Sequence, residues 1–395
     1  MKKLSLRNVL LIGVTLFSMF FGSGNLIFPP FIGYQAGSAS VFAFLGFALS
    51  AVALPVLGVA AVAKCGGLDH LCQQVHPKFS LIFSIIIYLC IGPMLAIPRT
   101  ASTSYSMFAF LTDRLGTGRL LGVPLQMAAS VVFSLIFFAA AGIVAKKPER
   151  LKDILGKRMT PVLLALIFVM FATGLAHMEL PVLQTAAPYA VHPFLKGFTE
   201  GYQTMDTMAA VVFGIVIAIN IRALGITDSN EIALETIKGG VIAGIFLGTV
   251  YGMLTFLGAK SGSLTAGAQN GTEILSTLCR EFFGNAGPAL LALIFFIACF
   301  NVCVGLICSC SKFFAEKFPV LGFDHWRWIL TGWSFFLSIL GLNTIIAISS
   351  PVLSLIYPVT IAIIAMNLLP FDVLKRPAVQ RDAVLLALSA GVLSL

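Results

Sequence analysis

The chain has 395 residues, 58% of them hydrophobic and only 10% charged, with a net charge of +9. A soluble domain carries roughly 25% charged residues; a water-facing surface could not cover this much apolar side chain, so lipid is the solvent for most of the molecule. The positive balance is not a nucleic-acid footprint either, because of where the basic residues fall.

Lys2, Lys3 and Arg7 precede an apolar run that outlasts a signal-peptide core, so it reads as a retained first span. No charged side chain occurs from Val9 to Ala63. At about 20 residues per crossing, Gly, Pro and polar breaks divide the apolar runs into ten spans, near 9–36, 40–63, 80–111, 120–145, 160–177, 201–222, 239–259, 284–313, 328–345 and 349–370. Lys146–Arg158 reads as a strongly basic loop, and TEILSTLCREFF, within the polar 263–283 segment, as a short helix over the outer face. Ala383–Leu395 is too short to cross and reads as the first part of an eleventh helix in a truncated chain.

With the N-terminus inside, nineteen of the 25 Lys and Arg lie in cytoplasmic segments, five in outer loops and Arg99 within a span. That is the positive-inside pattern for ten crossings with both ends inside. The ten spans form two sets of five, 9–177 and 201–370, which enter the membrane from opposite sides. The expectation is one transport domain over 1–395: an all-α polytopic membrane protein with a 5+5 inverted-repeat core and breaks in the first and sixth helices.

The first span places Gly22-Ser23-Gly24-Asn25 near the midplane, with Pro29-Pro30 a turn later. Gly costs about 1 kcal/mol in a helix interior and Pro about 3; clustered in lipid, they predict a helix built to break beside a cavity. The carbonyls ending one half attract a cation, and the amides opening the other attract a carboxylate. Asn25 adds a neutral oxygen for an ion. The competing reading is a kink used for packing.

In the third span Arg99 follows Pro93 and Pro98, and Thr100, Ser102, Thr103 and Ser104 make a polar face toward a pathway; snorkelling is the bland reading of Arg99. The sixth span holds Asp206, the one acidic residue in the predicted spans, between Thr204 and Thr207. Three readings stay open: pairing with Arg99, direct ion or proton binding, and an interfacial position. Gly240, Gly244, Gly248 and Gly252 draw a smooth stripe for internal packing or for a dimer. Asn301, in the eighth span, suits a ligand or a helix–helix hydrogen bond. Cys299, Cys303, Cys308 and Cys310 crowd the same helix, as small packing residues or a soft-metal site. No HExxH, P-loop or nucleophile constellation points to an enzyme.

At these residues the chain resembles the bacterial branched-chain amino acid:cation symporter family (BrnQ-type, LIVCS), which has the leucine-transporter-type fold. The matching segments include FFGSGNLIFPPFIGYQAG, ALPVLGVAAVAKCGG, CIGPMLAIPRTASTSYS, GYQTMDTMAAVVFGIVI, ALIFFIACFNVCVGLICSCSKFFA and SSPVLSLIYPVTIAI. The resemblance implies uptake of leucine, isoleucine and valine, driven by Na+ or H+, across a bacterial cytoplasmic membrane, with no nucleic-acid partner and no cofactor beyond the coupling ion. It implies a substrate site at Phe20, Gly22, Ser23, Gly24, Asn25, Thr100, Asp206 and Thr207. Carbonyls and side chains at Ser18, Phe21, Asn25, Thr207 and Asn301 are the implied cation ligands. Asn301-Val302 stands where the family pattern often has a Na+-binding threonine, which leaves the ion open; Ala209 and Lys312 also depart, from a glycine and a glutamate. The alternative is a symporter for another amino acid or small organic solute on the same fold.

Overall fold

The structure is a computed structural model that describes residues 4–112, 118–120, 123–177, 185–369 and 371–393. Its first span is two helices, α1 (Leu6–Phe20) and α2 (Ser23–Ala36), with Phe21 and Gly22 extended between them. The break expected at the glycines is therefore present. Pro29 and Pro30, however, lie inside α2. Lacking N–H groups, they free the carbonyls one turn earlier without interrupting the helix.

The chain turns at Gly37, where φ is +50°, into the second span, α3 (Ser40–Ala48), a π-helical turn at Leu49–Ala53 and α4 (Leu54–Cys65). After α5 (Leu68–Gln73), the third span is α6 (Pro77–Leu89) and α7 (Ala96–Thr112). The π-helical turn Cys90–Met94 between them is kinked at Gly92 beside Pro93. Strands β1 (Arg119–Leu120) and β2 (Val123–Pro124) pair antiparallel, Arg119 opposite Pro124. The fourth span, α8 (Leu125–Val144), starts after this pair and not at 120, since Pro124 cannot continue a strand ladder but can precede a helix. The basic segment expected as a loop is largely helical: Pro148–Arg150 forms a 3-10 turn and Lys152–Met159 a π-helix that runs into α9 (Thr160–His177). Asn220 explains part of this, accepting a bond from the Lys152 backbone N–H at 3.3 Å.

The second half opens with α10 (Ala187–Val191) and α11 (Pro193–Glu200). A 3-10 turn at Gly201–Thr204 and then Met205 separate α11 from α12 (Asp206–Arg222), so the sixth span is broken too and begins at Pro193, not 201. The seventh, α13 (Ser229–Lys260), starts ahead of the expected 239, because the Asp228 side chain caps Asn230 and Glu231 at 3.0 Å. The segment expected as a short helix is α14 (Gly271–Phe283), followed by α15 (Gly287–Lys317). The ninth and tenth spans are α16 (Phe323–Ser338) and α17 (Leu342–Leu368). Their turn falls at Gly341, with φ +82°, and not near 346–348, because Pro351 is accommodated inside α17. The last helix among the described residues is α18 (Pro377–Leu393). Eight helical stretches among the described residues are long and apolar enough to cross a membrane, and one of them, Ser23–Cys65, turns at Gly37 and so carries both α2 and the second span.

Glycines set the closest packing. A Cβ on Gly33 of α2 would sit 2.0 Å from the Thr255 carbonyl oxygen of α13, and one on Gly258 would sit 1.9 Å from that of Pro30. The stripe on α13 faces the second span, with Gly240 against Val59, Gly244 against Val56 and Gly252 against Phe44. That answers the choice left open for the stripe: it is internal packing.

Candidate functional site

The two breaks meet. Where α1 stops, the Gly22 N–H donates to Asn25 Oδ1 at 2.9 Å, so Asn25 caps the start of its own helix. The same side chain donates through Nδ2 to Asp206 Oδ2 at 2.7 Å and to the Tyr251 hydroxyl. Tyr251 in turn donates to Asp206 Oδ2 at 2.6 Å. Asn25, Asp206 and Tyr251, from α2, α12 and α13, are thus one buried network joining both interrupted spans. Its carboxylate accepts bonds of the charge-assisted kind.

Asp206 is placed by an unusual backbone. Met205, with φ +65°, is the one non-glycine residue in the left-handed region among the described residues. That conformation costs about 1–3 kcal/mol. It lets the chain leave the 3-10 turn at Thr204 and begin α12 with the carboxylate at its first position, where the helix N-terminus favours a negative charge.

Arg99 is buried on α7, which excludes snorkelling. Among the described residues it makes no ion pair within 4.0 Å of a carboxylate, so of the readings left open for Asp206 direct pairing with Arg99 is absent. Its Nη1 donates instead to the Gln203 carbonyl at 3.0 Å, and its Nε is buried without a partner. Gly24 makes the approach possible: a Cβ there would lie 2.8 Å from Arg99 Nη2 and 3.2 Å from the Gln203 carbonyl oxygen.

Both charges line one small cavity of about 20 Å³, together with Met19, Phe20, Gly22, Ser23, Asn25, Ile91, Ala96, Thr100, Thr204, Met205, Ala209, Val302 and Leu306. That volume holds little more than one water molecule. Of the implied substrate residues, Phe20, Gly22, Ser23, Asn25, Thr100 and Asp206 line it, while Gly24 does not and lies against Arg99. Thr207 does not line it; its hydroxyl donates to the Ser50 carbonyl at 3.1 Å, toward the π-helical turn of the second span.

The implied cation ligands divide in the same way. The Ser18 hydroxyl donates to the Thr15 carbonyl at 2.9 Å, and Asn25 Oδ1 is engaged as a cap. Asn301 is different, because both atoms of its amide are buried and have no hydrogen-bond partner. Its chain neighbour Val302 abuts Gly22 at the break. Buried amide atoms of this kind are costly unless a ligand, ion or water completes them. The cysteines of α15 form no group of three or more metal-ligand side chains among the described residues, and the Cys308 thiol points to the Ala145 carbonyl and the Cys310 thiol to that of Tyr88.

Sequence reasoning missed Tyr251 and Gln203. A lone tyrosine inside the glycine stripe of α13 was the available signal for the first. For the second there was little, since it is the Gln203 main-chain carbonyl that holds Arg99, while its side chain accepts from Ser350 at 3.2 Å.

The solved structure of MhsT in complex with L-phenylalanine superposes on the chain with a TM-score of 0.58 at 14% identity, covering 96% of this chain and 98% of that one, a likeness of fold. The Bacillus subtilis branched-chain amino acid permease BrnQ is 35% identical over 373 residues, 93% of this chain and 82% of the relative. The Pseudomonas aeruginosa branched-chain amino acid transport system 2 carrier protein is 37% identical over 389 residues, 98% of this chain and 86% of the relative. The family described as branched-chain amino acid transport protein matches residues 5–395. The chain belongs to that family, and is a membrane transport protein and not an enzyme.

Proposed function

We propose that the protein is a cation-coupled symporter that imports leucine, isoleucine and valine by alternating access across a bacterial cytoplasmic membrane, its N-terminus on the cytoplasmic side. The observation that carries this reading is the meeting of two interrupted helices at a buried cavity lined by one carboxylate, one guanidinium and otherwise mainly apolar or neutral side chains. A zwitterion with an aliphatic tail matches that chemistry. The unpaired amides at the start of α2, at Ser23 and Gly24, receive the solute's carboxylate. Asp206 attracts its ammonium, and Phe20, Met205 and Ile91 contact the hydrocarbon.

The coupling ion is Na+ or H+, and Na+ belongs at the end of α1. There the carbonyls of Ser18 and Phe21 face no continuing helix, and on α15 Asn301, next in the chain to the Val302 that abuts Gly22, has an amide oxygen without a hydrogen-bond partner. A proton would use Asp206 instead. The names of the relatives support the substrate class.

The test is uptake of labelled leucine into proteoliposomes under an inward Na+ gradient, repeated with choline in place of Na+ at two pH values. Accumulation that needs Na+ at both pH values assigns the ion as Na+; accumulation that follows the pH gradient in choline assigns it as H+. Failure to accumulate any aliphatic amino acid would sink the proposal.

A further inference from the structure

Arg99 is a buried cation with no carboxylate within 4.0 Å among the described residues. The intramembrane acid that shares its cavity makes its bonds elsewhere, Asp206 Oδ2 accepting from both Asn25 and Tyr251. A guanidinium taken out of water and left unpaired is expensive to keep. A mere tether for the Gln203 carbonyl would need only a neutral donor, which costs far less to bury. The placement of Arg99 gives its charge a use. Nη1 is fixed by Gln203, and Nη2 lies against Gly24, over the first turn of α2, whose opening amides have no intrahelical acceptors. Gly24 is what lets the guanidinium sit there, since any side chain would push it away. Two donor sets, a helix N-terminus and a rigid fork, thus lie next to each other beside the cavity.

We propose that Arg99 is the residue that selects for a free carboxylate on the transported solute. The carboxylate docks on the α2 amides and completes the charge balance of the guanidinium, so the site takes amino acids and rejects their amides, alcohols and amines. This inference rests on the symporter reading and adds to it the determinant of one end of the substrate. It also accounts for Arg99 and Asp206 lining the same cavity without touching: the solute separates them, each charge answering one end of the zwitterion.

The experiment measures ligand affinity by thermal stabilisation of the purified full chain and by competition against labelled leucine. It uses leucine, leucinamide and leucinol with the wild type, Arg99→Gln and Arg99→Lys. Wild type should prefer leucine over leucinamide by about 30-fold or more, the scale of a buried charge pair. Arg99→Gln should weaken leucine by about 30-fold while leaving leucinamide within roughly threefold, so that the preference collapses. Arg99→Lys, which keeps the charge but not the fork, should fall between. Stabilisation by leucinamide reports that the variants are folded, and if the glutamine form does not fold, the lysine form carries the same comparison. Parallel losses for leucine and leucinamide, or a preference that survives in Arg99→Gln, overturn the proposal. A wild type that binds leucine and leucinamide equally overturns the role of Arg99 alone, whereas a wild type stabilised by no aliphatic amino acid or amide overturns the symporter reading beneath it.

Discussion

Replacing Tyr251 by phenylalanine removes one oxygen and leaves the ring in place, packed with centroids 5.3 Å from Phe47 and 6.2 Å from Phe21. The hydroxyl it deletes donates to Asp206 Oδ2 at 2.6 Å and accepts from Asn25. A hydrogen bond to a charged group contributes about 1.5–3 kcal/mol, and a neutral one about 1. Tyr251→Phe should therefore weaken leucine binding by about tenfold or more, at about 1.4 kcal/mol for each factor of ten. The charge dependence is the sharper test. In an Asp206→Asn background the same deletion loses only a neutral bond, so the two substitutions should be coupled by about 0.5–2 kcal/mol. The assay is the dissociation constant of labelled leucine for the four proteins of this cycle in detergent, with melting temperatures as a control for folding. Losses that add to within about 0.3–0.5 kcal/mol, or a Tyr251→Phe protein that binds like wild type, would refute the idea that this network shapes the site.

Two further outcomes follow from packing. A Cβ on Gly244 would sit 2.5 Å from Val56 Cγ2, whereas one on Gly248 meets nothing nearer than 3.9 Å. Gly244→Ala should thus destabilise by about 1–3 kcal/mol and Gly248→Ala should be neutral or stabilising by up to about 1 kcal/mol; equal melting shifts for the pair would contradict the register of α13 on the second span. Asn220, fully buried, donates to the Pro148 and Val216 carbonyls at 3.2 and 2.8 Å and accepts from the Lys152 N–H. Asn220→Ala strands partners in the 148–152 segment at about 1–3 kcal/mol, so amide hydrogen exchange there should speed by about tenfold, and unchanged exchange would show that the segment is held by other contacts.

The first break was legible because a glycine pair and a capping asparagine in an apolar run have few other uses. The sixth was harder to read, since the residue that turns the chain is Met205, and a methionine at positive φ has no sequence signature. Pro29 and Pro30 misled in the opposite direction: they fall beyond the first turn of α2, where close packing on α13 holds the helix through the missing bonds. Charge misplaced several boundaries. The seventh span was expected to begin near 239, yet Glu231 and Glu235 ahead of it are buried on α13, which extends past the apolar run. Likewise Lys146–Arg158 looked like loop by composition, but helical extension costs nothing where charged ends reach water. What no local pattern could supply was the third dimension: that Tyr251 of the seventh span closes a network between the first and sixth, and that Arg99 ends beside Gly24 and not against Asp206.

The packing also limits how the site opens. A cavity of about 20 Å³ cannot admit a branched side chain, so its walls must part for a solute to enter. Some of those walls cannot part easily. α2 and α13 are joined backbone to backbone at Gly33 and Gly258, and α13 meets the second span along Gly240 and Gly244, contacts with no slack for sliding. Thr207 ties α12 to the second span through the Ser50 carbonyl. The elements on the other side, α7 and α15, meet this group at the cavity through side chains: Arg99 on the Gln203 carbonyl, and Val302 against Gly22. Side-chain contacts can be exchanged for a ligand's, whereas glycine-mediated backbone contacts have no substitute. On the proposed alternating access, the seam expected to yield is therefore the one between α2 with α12 and α7 with α15. The solute would enter that seam, where the charge of Arg99 and the free amides of α2 lie on opposite sides.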